Sequence, residues 1–198
     1  MPDTPAVEPR SLRADAQGNL DRLLEVAACT FQRDGADTSM RAIAKAAGVG
    51  VGTLYRHFAT RDRLIEATYR SEIARLCAAA PELLESSPAL DALRTWMNLF
   101  VTFMATKDGM GEALRAILVD DDEKMTTRHL LADALGELLS RGVVEGTLRD
   151  DIAPYDVLLG IGGITLIAGG AAQSATRNRL LDLLVDGLRT DGPRPRDA

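Results

Sequence analysis

The sequence predicts an all-α protein: an N-terminal three-helix helix-turn-helix domain followed by a larger C-terminal helical domain, about nine helices in total. Three observations lead there. Apolar residues recur at intervals of three and four along nearly the whole chain, which is the period of one helical face. Alanine, leucine and arginine dominate, and β-branched runs are few. No alternating strand pattern and no internal repeat is present.

Each element has its own signal. Leu20, Leu23, Leu24, Ala27, Ala28 and Phe31 mark one face of a helix over Asn19–Gly35, with Gly35 as its left-handed cap. Thr38 or Ser39 opens a short second helix that Gly48 closes. "VGVGTLYRHF" gives a third, with Leu54 and Phe58 on one side. Thr60 caps a fourth, whose face carries Leu64, Ala67, Ile73 and Leu76 and which is expected to stop before Pro81. Residues 81–88 hold two prolines and two serines and read as a joint. Ser87-Pro88 then starts a long helix with the stripe Leu90, Leu93, Met97, Phe100, Met104, followed by a shorter segment around Met110, Leu114 and Ile117. "DDDEKM" places acids before a further helix N-terminus, with Leu131, Leu135 and Leu138 on its face and Gly142 expected at its end. Residues 157–176 are twenty consecutive uncharged residues, long enough to span a bilayer. Five glycines and several polar residues make a buried subunit interface the better reading. The last helix carries Leu180, Leu181, Leu184 and Leu188.

A chain of 198 residues is one large domain or two small ones and buries a core without staples. Cys29 and Cys77 have neither disulfide-framework nor metal-site spacing and are expected as small buried thiols. The first residues lack the apolar core of a signal peptide. The net charge of −6 is unevenly spread. Residues 38–63 contain Arg41, Lys45, Arg56, Arg61 and Arg63 against Asp62 alone, while the remainder has 18 basic and 28 acidic residues. A basic patch on an acidic body points to a localised contact with a polyanion.

The stretch "AAGVGVGTLYRHF" could cradle a phosphate, and the question is whose. A nucleotide site is disfavoured. Gly48, Gly50 and Gly52 lack the spacing of a dinucleotide fingerprint, no apolar strand precedes them, and no Gly-Lys-Ser/Thr follows. Hydrolytic or metal catalysis has no motif either, since His57 and His129 lie in different regions. No metal and no cofactor is expected. Two short helices around a glycine turn, ahead of a basic aromatic run, describe a helix-turn-helix whose second helix enters the major groove. Thr38 and Ser39 set a hydroxyl at a helix N-terminus, where phosphate is gripped. Tyr55, Arg56, His57 and Arg61 reach phosphates or base edges, and Arg41 and Arg56 are the candidate guanine readers.

The run "TSMRAIAKAAGVGVGTLYRHFATRDRLIEA" resembles the DNA-binding region of the tetracycline-repressor (TetR) family of bacterial regulators. The shared positions are Thr38/Ser39, Ile43-Ala44, Ala47-Gly48-Val49, Thr53 to Phe58, Arg61 and Leu64. The resemblance implies a DNA interface of Thr38, Ser39, Arg41, Gly50, Gly52, Thr53, Tyr55, Arg56, His57 and Arg61. Gly50 and Val51 depart from the family's frequent serine and its polar or basic residue, which leaves two alternatives: the helix start still reads sequence, or that work passes to Arg41, Thr53 and Arg56.

The family pattern also implies an organisation. Residues 1–16 are a disordered tail, 17–80 the helix-turn-helix DNA-binding domain with its motif at about 39–58, 81–190 a ligand-binding and dimerisation domain, and 191–198 a second tail. It implies a cytoplasmic homodimeric repressor that binds a double-stranded, pseudo-palindromic operator and is released by a small, largely apolar effector. Candidate pocket residues are Trp96, Met97, Phe100, Phe103, Met104, Met110 and Leu114, with Asn98, Thr102 or His129 as polar contacts. Candidate dimer-interface residues are Leu159, Gly163, Leu166, Leu180, Leu184 and Leu188. A ligand-independent activator, and an enzyme retaining a relic helix-turn-helix, are the alternatives left open. Neither a membrane partner nor an enzymatic activity is expected.

Overall fold

The computed structural model describes residues 9–118 and 121–190. These form α1 (Pro9–Asp34), α2 (Met40–Ala46), α3 (Val51–His57), α4 (Arg61–Ser86), α5 (Ala89–Ile117), α6 (Asp121–Val144), α7 (Pro154–Ala168) and α8 (Ser174–Leu188), with a 3-10 turn at Ala171–Gln173. An isolated antiparallel bridge joins Leu148 to Arg189. Among the described residues there are eight helices rather than nine, because the short segment after Met110 is continuous with α5 across a break at Gly111, whose φ of 45° and ψ of −124° are not helical.

The chain divides into two compact units. The first comprises the described residues up to Ser71 together with Gly109–Ile117. Its core is built by Leu23, Leu24, Ala27, Ala28 and Phe31 of α1, Met40, Ile43 and Ala44 of α2, Leu54 of α3, Phe58 just beyond it, and Leu64, Ile65 and Tyr69 of α4. Burying each of its leucine, isoleucine, methionine and phenylalanine side chains contributes about 1.5–3 kcal/mol. Gly35 closes α1 with φ 81°, and its N–H donates to the Phe31 carbonyl at 2.9 Å. Gly109 lies against the same turn of α1. A Cβ placed on Gly109 meets the Phe31 carbonyl oxygen at 2.4 Å and the Gln32 Cα at 2.9 Å, so the two helices touch backbone to backbone.

The second unit comprises Glu72–Asp108 and the described residues from Leu118 onward. Trp96 is fully buried, and its indole N–H donates to the Leu76 carbonyl of α4 at 2.9 Å. Leu93 and Met97 of α5, Leu135 and Leu138 of α6, Ile161 of α7 and Leu181 of α8 complete its core. Arg94 of α5 pairs with Asp182 of α8 at 2.8 Å. Arg177 of α8 donates to the Ala168 and Gly169 carbonyls at 3.3 and 3.2 Å, satisfying acceptors at the C-terminal end of α7.

Several local expectations are corrected. Residues 9–16, expected as tail, lie within α1, whereas the tails 1–8 and 191–198 fall outside the described residues. Helix α4 passes through Pro81 to Ser86, so the joint contracts to Ser87 and Pro88. Proline removes one helical hydrogen bond and favours a kink, and a long packed helix survives that loss. Gly142 does not end α6. A Cβ there would stand 2.4 Å from Leu148 Cδ1, so the glycine makes room for a core leucine, and the left-handed cap is Gly146 at φ 71°. The uncharged run breaks at Gly169 and Gly170, leaving α7 only 15 residues long. Among the described residues no helix is long and apolar enough to cross a membrane. Cys29 is exposed, because it faces away from the Ala28–Phe31 side of α1.

Glycine in a helix interior ordinarily costs about 1 kcal/mol relative to alanine. Gly18→Ala, with nothing within 4 Å of the added Cβ, should therefore raise stability by up to about that amount. Gly109→Ala should do the opposite, lowering stability by about 1–3 kcal/mol because a backbone oxygen cannot be repacked. Thermal unfolding by circular dichroism reads both, at about 2–4 °C per kcal/mol.

Candidate nucleic-acid interface

The interface is assembled from two short helices and their caps. Ser39 is the N-cap of α2 with extended backbone (φ −73°, ψ 148°), and its Oγ accepts from the Ala42 N–H at 3.2 Å. The Thr38 hydroxyl donates to the Gly35 carbonyl at 2.9 Å. Of the two hydroxyls, the Ser39 proton is left for an outside acceptor, whereas that of Thr38 is committed internally. At the other end of α2, Val49 N–H donates to the Ala44 carbonyl at 3.0 Å and Gly48 N–H to the Lys45 carbonyl at 3.2 Å. With Gly48 at φ 68°, this is the Schellman arrangement, and it reverses the chain within two residues.

Helix α3 starts at Gly50, an N-cap with extended backbone and no side-chain hydrogen bond. A Cβ on Gly50 would make only an ordinary 3.6 Å contact with Thr53 Oγ1, and one on Gly52 would meet nothing within 4 Å. Neither glycine is demanded by packing, so both leave the helix start bare. Leu54 and Phe58 turn into the core, while Gly52, Thr53, Tyr55, Arg56 and His57 are exposed. Tyr55 retains 49% of its surface. Arg41 on α2 is exposed as well.

Thr60 opens α4 by accepting the Arg63 N–H on its Oγ1 at 3.2 Å. Arg61, the first residue of α4, is half-buried. Its Nη2 lies 3.7 Å from Asp37 Oδ1, and its Nε and Nη2 are buried with no hydrogen-bond partner among the described residues. Donors held this way are costly unless an acceptor arrives.

The other expected residues fall as follows. Trp96, Met97, Phe100 and Phe103 are buried and Met104 half-buried, all in the second unit. Met110 and Leu114, expected with them, belong to the first unit, beyond Asp108 where the division falls. Asn98, Thr102 and His129 are exposed. On α7 and α8, Leu159 and Leu166 are 52% and 81% exposed, Gly163 is exposed, and Leu180 and Leu184 are half-buried. Leu188 is a correction. It is buried inside its own unit because it continues the Leu181–Val185 face of α8, and it is not available to a second molecule. Ile167 and Leu183, which the spacing did not single out, are 79% and 67% exposed.

A glycine-turned helix pair, with apolar edge inward and a basic, hydroxyl-bearing edge in solvent, defines a helix-turn-helix DNA-binding regulator. The comparisons with known proteins agree. Residues 23–68 match the family of bacterial regulatory proteins described as tetR family, and residues 88–190 match the C-terminal domain of SbtR-like transcriptional regulators. A TetR transcriptional regulator from Streptomyces coelicolor has a similar structure, with TM-score 0.81 and 42% identity, over 87% of this chain and 99% of that one. A TetR regulator from Mycobacterium vanbaalenii follows at TM-score 0.71 and 31% identity, over 90% and 99%. Among curated proteins, an HTH-type transcriptional regulator of Staphylococcus aureus is 44% identical over 54 residues, a match spanning 27% of this chain and 29% of the relative. The chain belongs to the TetR family of transcriptional regulators, and these relatives are regulators rather than enzymes.

Two substitutions test the caps. Ser39→Ala should cost about 1 kcal/mol by removing the side-chain cap of the Ala42 N–H, which keeps only its bond to the Ser39 carbonyl at 2.9 Å. Gly48→Ala should cost about 1–2 kcal/mol, because an L side chain is strained at positive φ. Urea unfolding monitored by tryptophan-independent circular dichroism measures both.

Proposed function

We propose that this regulator is a cytoplasmic repressor that binds a pseudo-palindromic DNA operator as a homodimer and is released by a small effector. The observation that carries the DNA part is the outward edge of α3: Thr53, Tyr55, Arg56 and His57 are exposed while Leu54 is fully buried. In this reading α3 lies in the major groove, Arg56 and Arg41 read bases, and Ser39, Tyr55, His57 and Arg61 hold phosphates. The buried Arg61 Nε and Nη2, which make no hydrogen bond among the described residues, favour a phosphate there. Gly50 and Gly52 let the backbone come close to the DNA.

Dimerisation is supported by the apolar residues that α7 and α8 leave in water: Leu159, Leu166, Ile167 and Leu183. A second copy of the same face is the economical cover, and two heads then meet half-sites about one turn of DNA apart. The effector reading rests on Trp96, Met97, Phe100, Phe103 and Met104, an aromatic and methionine stripe that adapts to an apolar guest. An effector releases DNA only through its differential affinity for two conformers.

With a DNA site obtained by selection from random sequence, Arg56→Ala should weaken binding by about 1–3 kcal/mol and relax base preference. Tyr55→Ala should weaken it across all sequences while leaving the salt slope unchanged, since a neutral hydroxyl releases no counterion. Fluorescence anisotropy at several salt concentrations reads both, and unchanged affinity in the two variants would sink the interface assignment. In sedimentation velocity, Leu166→Lys should shift a dimer toward monomer while the helical spectrum stays intact.

A further inference from the structure

In a guanidinium, Nε–H and the Nη2–H beside it point the same way and form a two-pronged fork that fits a carboxylate or a phosphate. In Arg61 both of these nitrogens are buried, and neither makes a hydrogen bond among the described residues. The side chain as a whole keeps 34% of its surface, so the group is reachable from solvent. The acid that stands at this fork is Asp37. Its Oδ1 lies 3.7 Å from Nη2, a charge contact too long for a hydrogen bond. The Asp37 side chain is fully exposed and turns away without giving up a packing contact.

The neighbouring acids are engaged elsewhere. Asp34 accepts from Arg33 Nε at 2.8 Å and from Arg33 Nη2 at 2.6 Å. Glu66 pairs with Arg63 and with Arg70, each at 3.0 Å. Asp62 lies in the first turn of α4, where the helix dipole favours a carboxylate. An exposed pair as long as Asp37–Arg61 adds little to stability, so a structural strut does not account for it. Charge does. Asp37 directly precedes Thr38 and Ser39, beside the residues assigned above to the DNA backbone, and sets a negative group among them. A like charge facing phosphates opposes docking.

We propose that the Asp37 carboxylate is a built-in stand-in for a DNA phosphate. It occupies the field of Arg61 in the free protein and leaves when a phosphate takes the fork. Binding then exchanges one anion for another on the same cation, and the affinity for DNA is held below what the basic face alone would give. The inference rests on the assignment of Arg61 to a phosphate and adds the residue that regulates that contact.

The test is a double-mutant cycle on the full chain, read by fluorescence anisotropy with the DNA site selected from random sequence. Asp37→Asn should bind about threefold more tightly than the parent, a change of the size that an exposed ion pair supports. Arg61→Ala should bind more weakly and lower the salt slope by about 1. In the Arg61→Ala background the gain from Asp37→Asn should disappear, because the carboxylate then has no cation to occupy. Thermal unfolding of each variant checks that the fold is kept. If D37N tightens binding equally with and without Arg61, Asp37 acts by repelling DNA at a distance and the inference falls. It falls as well if D37N leaves the affinity unchanged, or weakens it, since Asp37 would then orient Arg61 rather than compete for it. If R61A binds as the parent does, with the same salt slope, Arg61 holds no phosphate and the reading beneath the inference fails with it.

Discussion

Helix α3 is only seven residues long, and this is the constraint on which the DNA-facing half of the molecule depends. A helix of two turns has no independent stability in water, because nucleation costs more than so few hydrogen bonds return. It exists because both ends are fixed from outside. Its entry is set by the left-handed Gly48 turn, which ties the end of α2 to the chain ahead of α3. Its exit is set by Phe58, whose ring is buried and whose N–H donates to the Leu54 carbonyl at 2.9 Å. Leu54 anchors the middle. With these points fixed, the helix has no rotational freedom left, and Thr53, Tyr55, Arg56 and His57 have to face water. The orientation of the basic edge thus follows from the packing of two apolar residues.

Charge adds a second layer. The basic residues of 38–63 sit in a chain whose remainder is strongly acidic. Opposite potentials on one molecule do more than permit DNA binding, since an acidic body is repelled by the same phosphates that attract the head. Encounter is biased toward the productive face before any specific contact forms. Release of condensed counterions then supplies the sequence-independent part of the affinity.

The helix-turn-helix was legible because its signals are local. Gly35 reads as a left-handed cap and Gly48 as a helix end from their place after an apolar period, and Thr38 or Ser39, and Thr60, read as N-caps from theirs. What was not legible depends on partners distant in sequence. Gly142 looks like a helix stop, yet its role is set by Leu148 packing against its bare Cα. Pro81 looks like a break, but a proline ends a helix only where packing does not hold both sides. The leucines of α8 carry two faces at nearly the same spacing. Periodicity identifies the faces without saying that Leu188 goes inward with Leu181 and Val185 while Leu183 goes out. The expected pocket set divided for the same reason: Met110 and Leu114 continue the α5 stripe in sequence but lie beyond the break at Gly111 or beside it, within the first unit.

Gly109 carries a consequence of a different kind. Contacts between side chains are negotiable, since a larger residue on one helix is offset by a smaller one opposite. Where α5 meets α1 at Phe31, the touching atoms are main chain, and no exchange of residues elsewhere in the core alters their radii. The separation of these two helices is therefore a fixed gauge rather than an average over packing solutions. Through sequence drift in the surrounding core, that one dimension of the N-terminal unit stays constant as long as position 109 has no side chain.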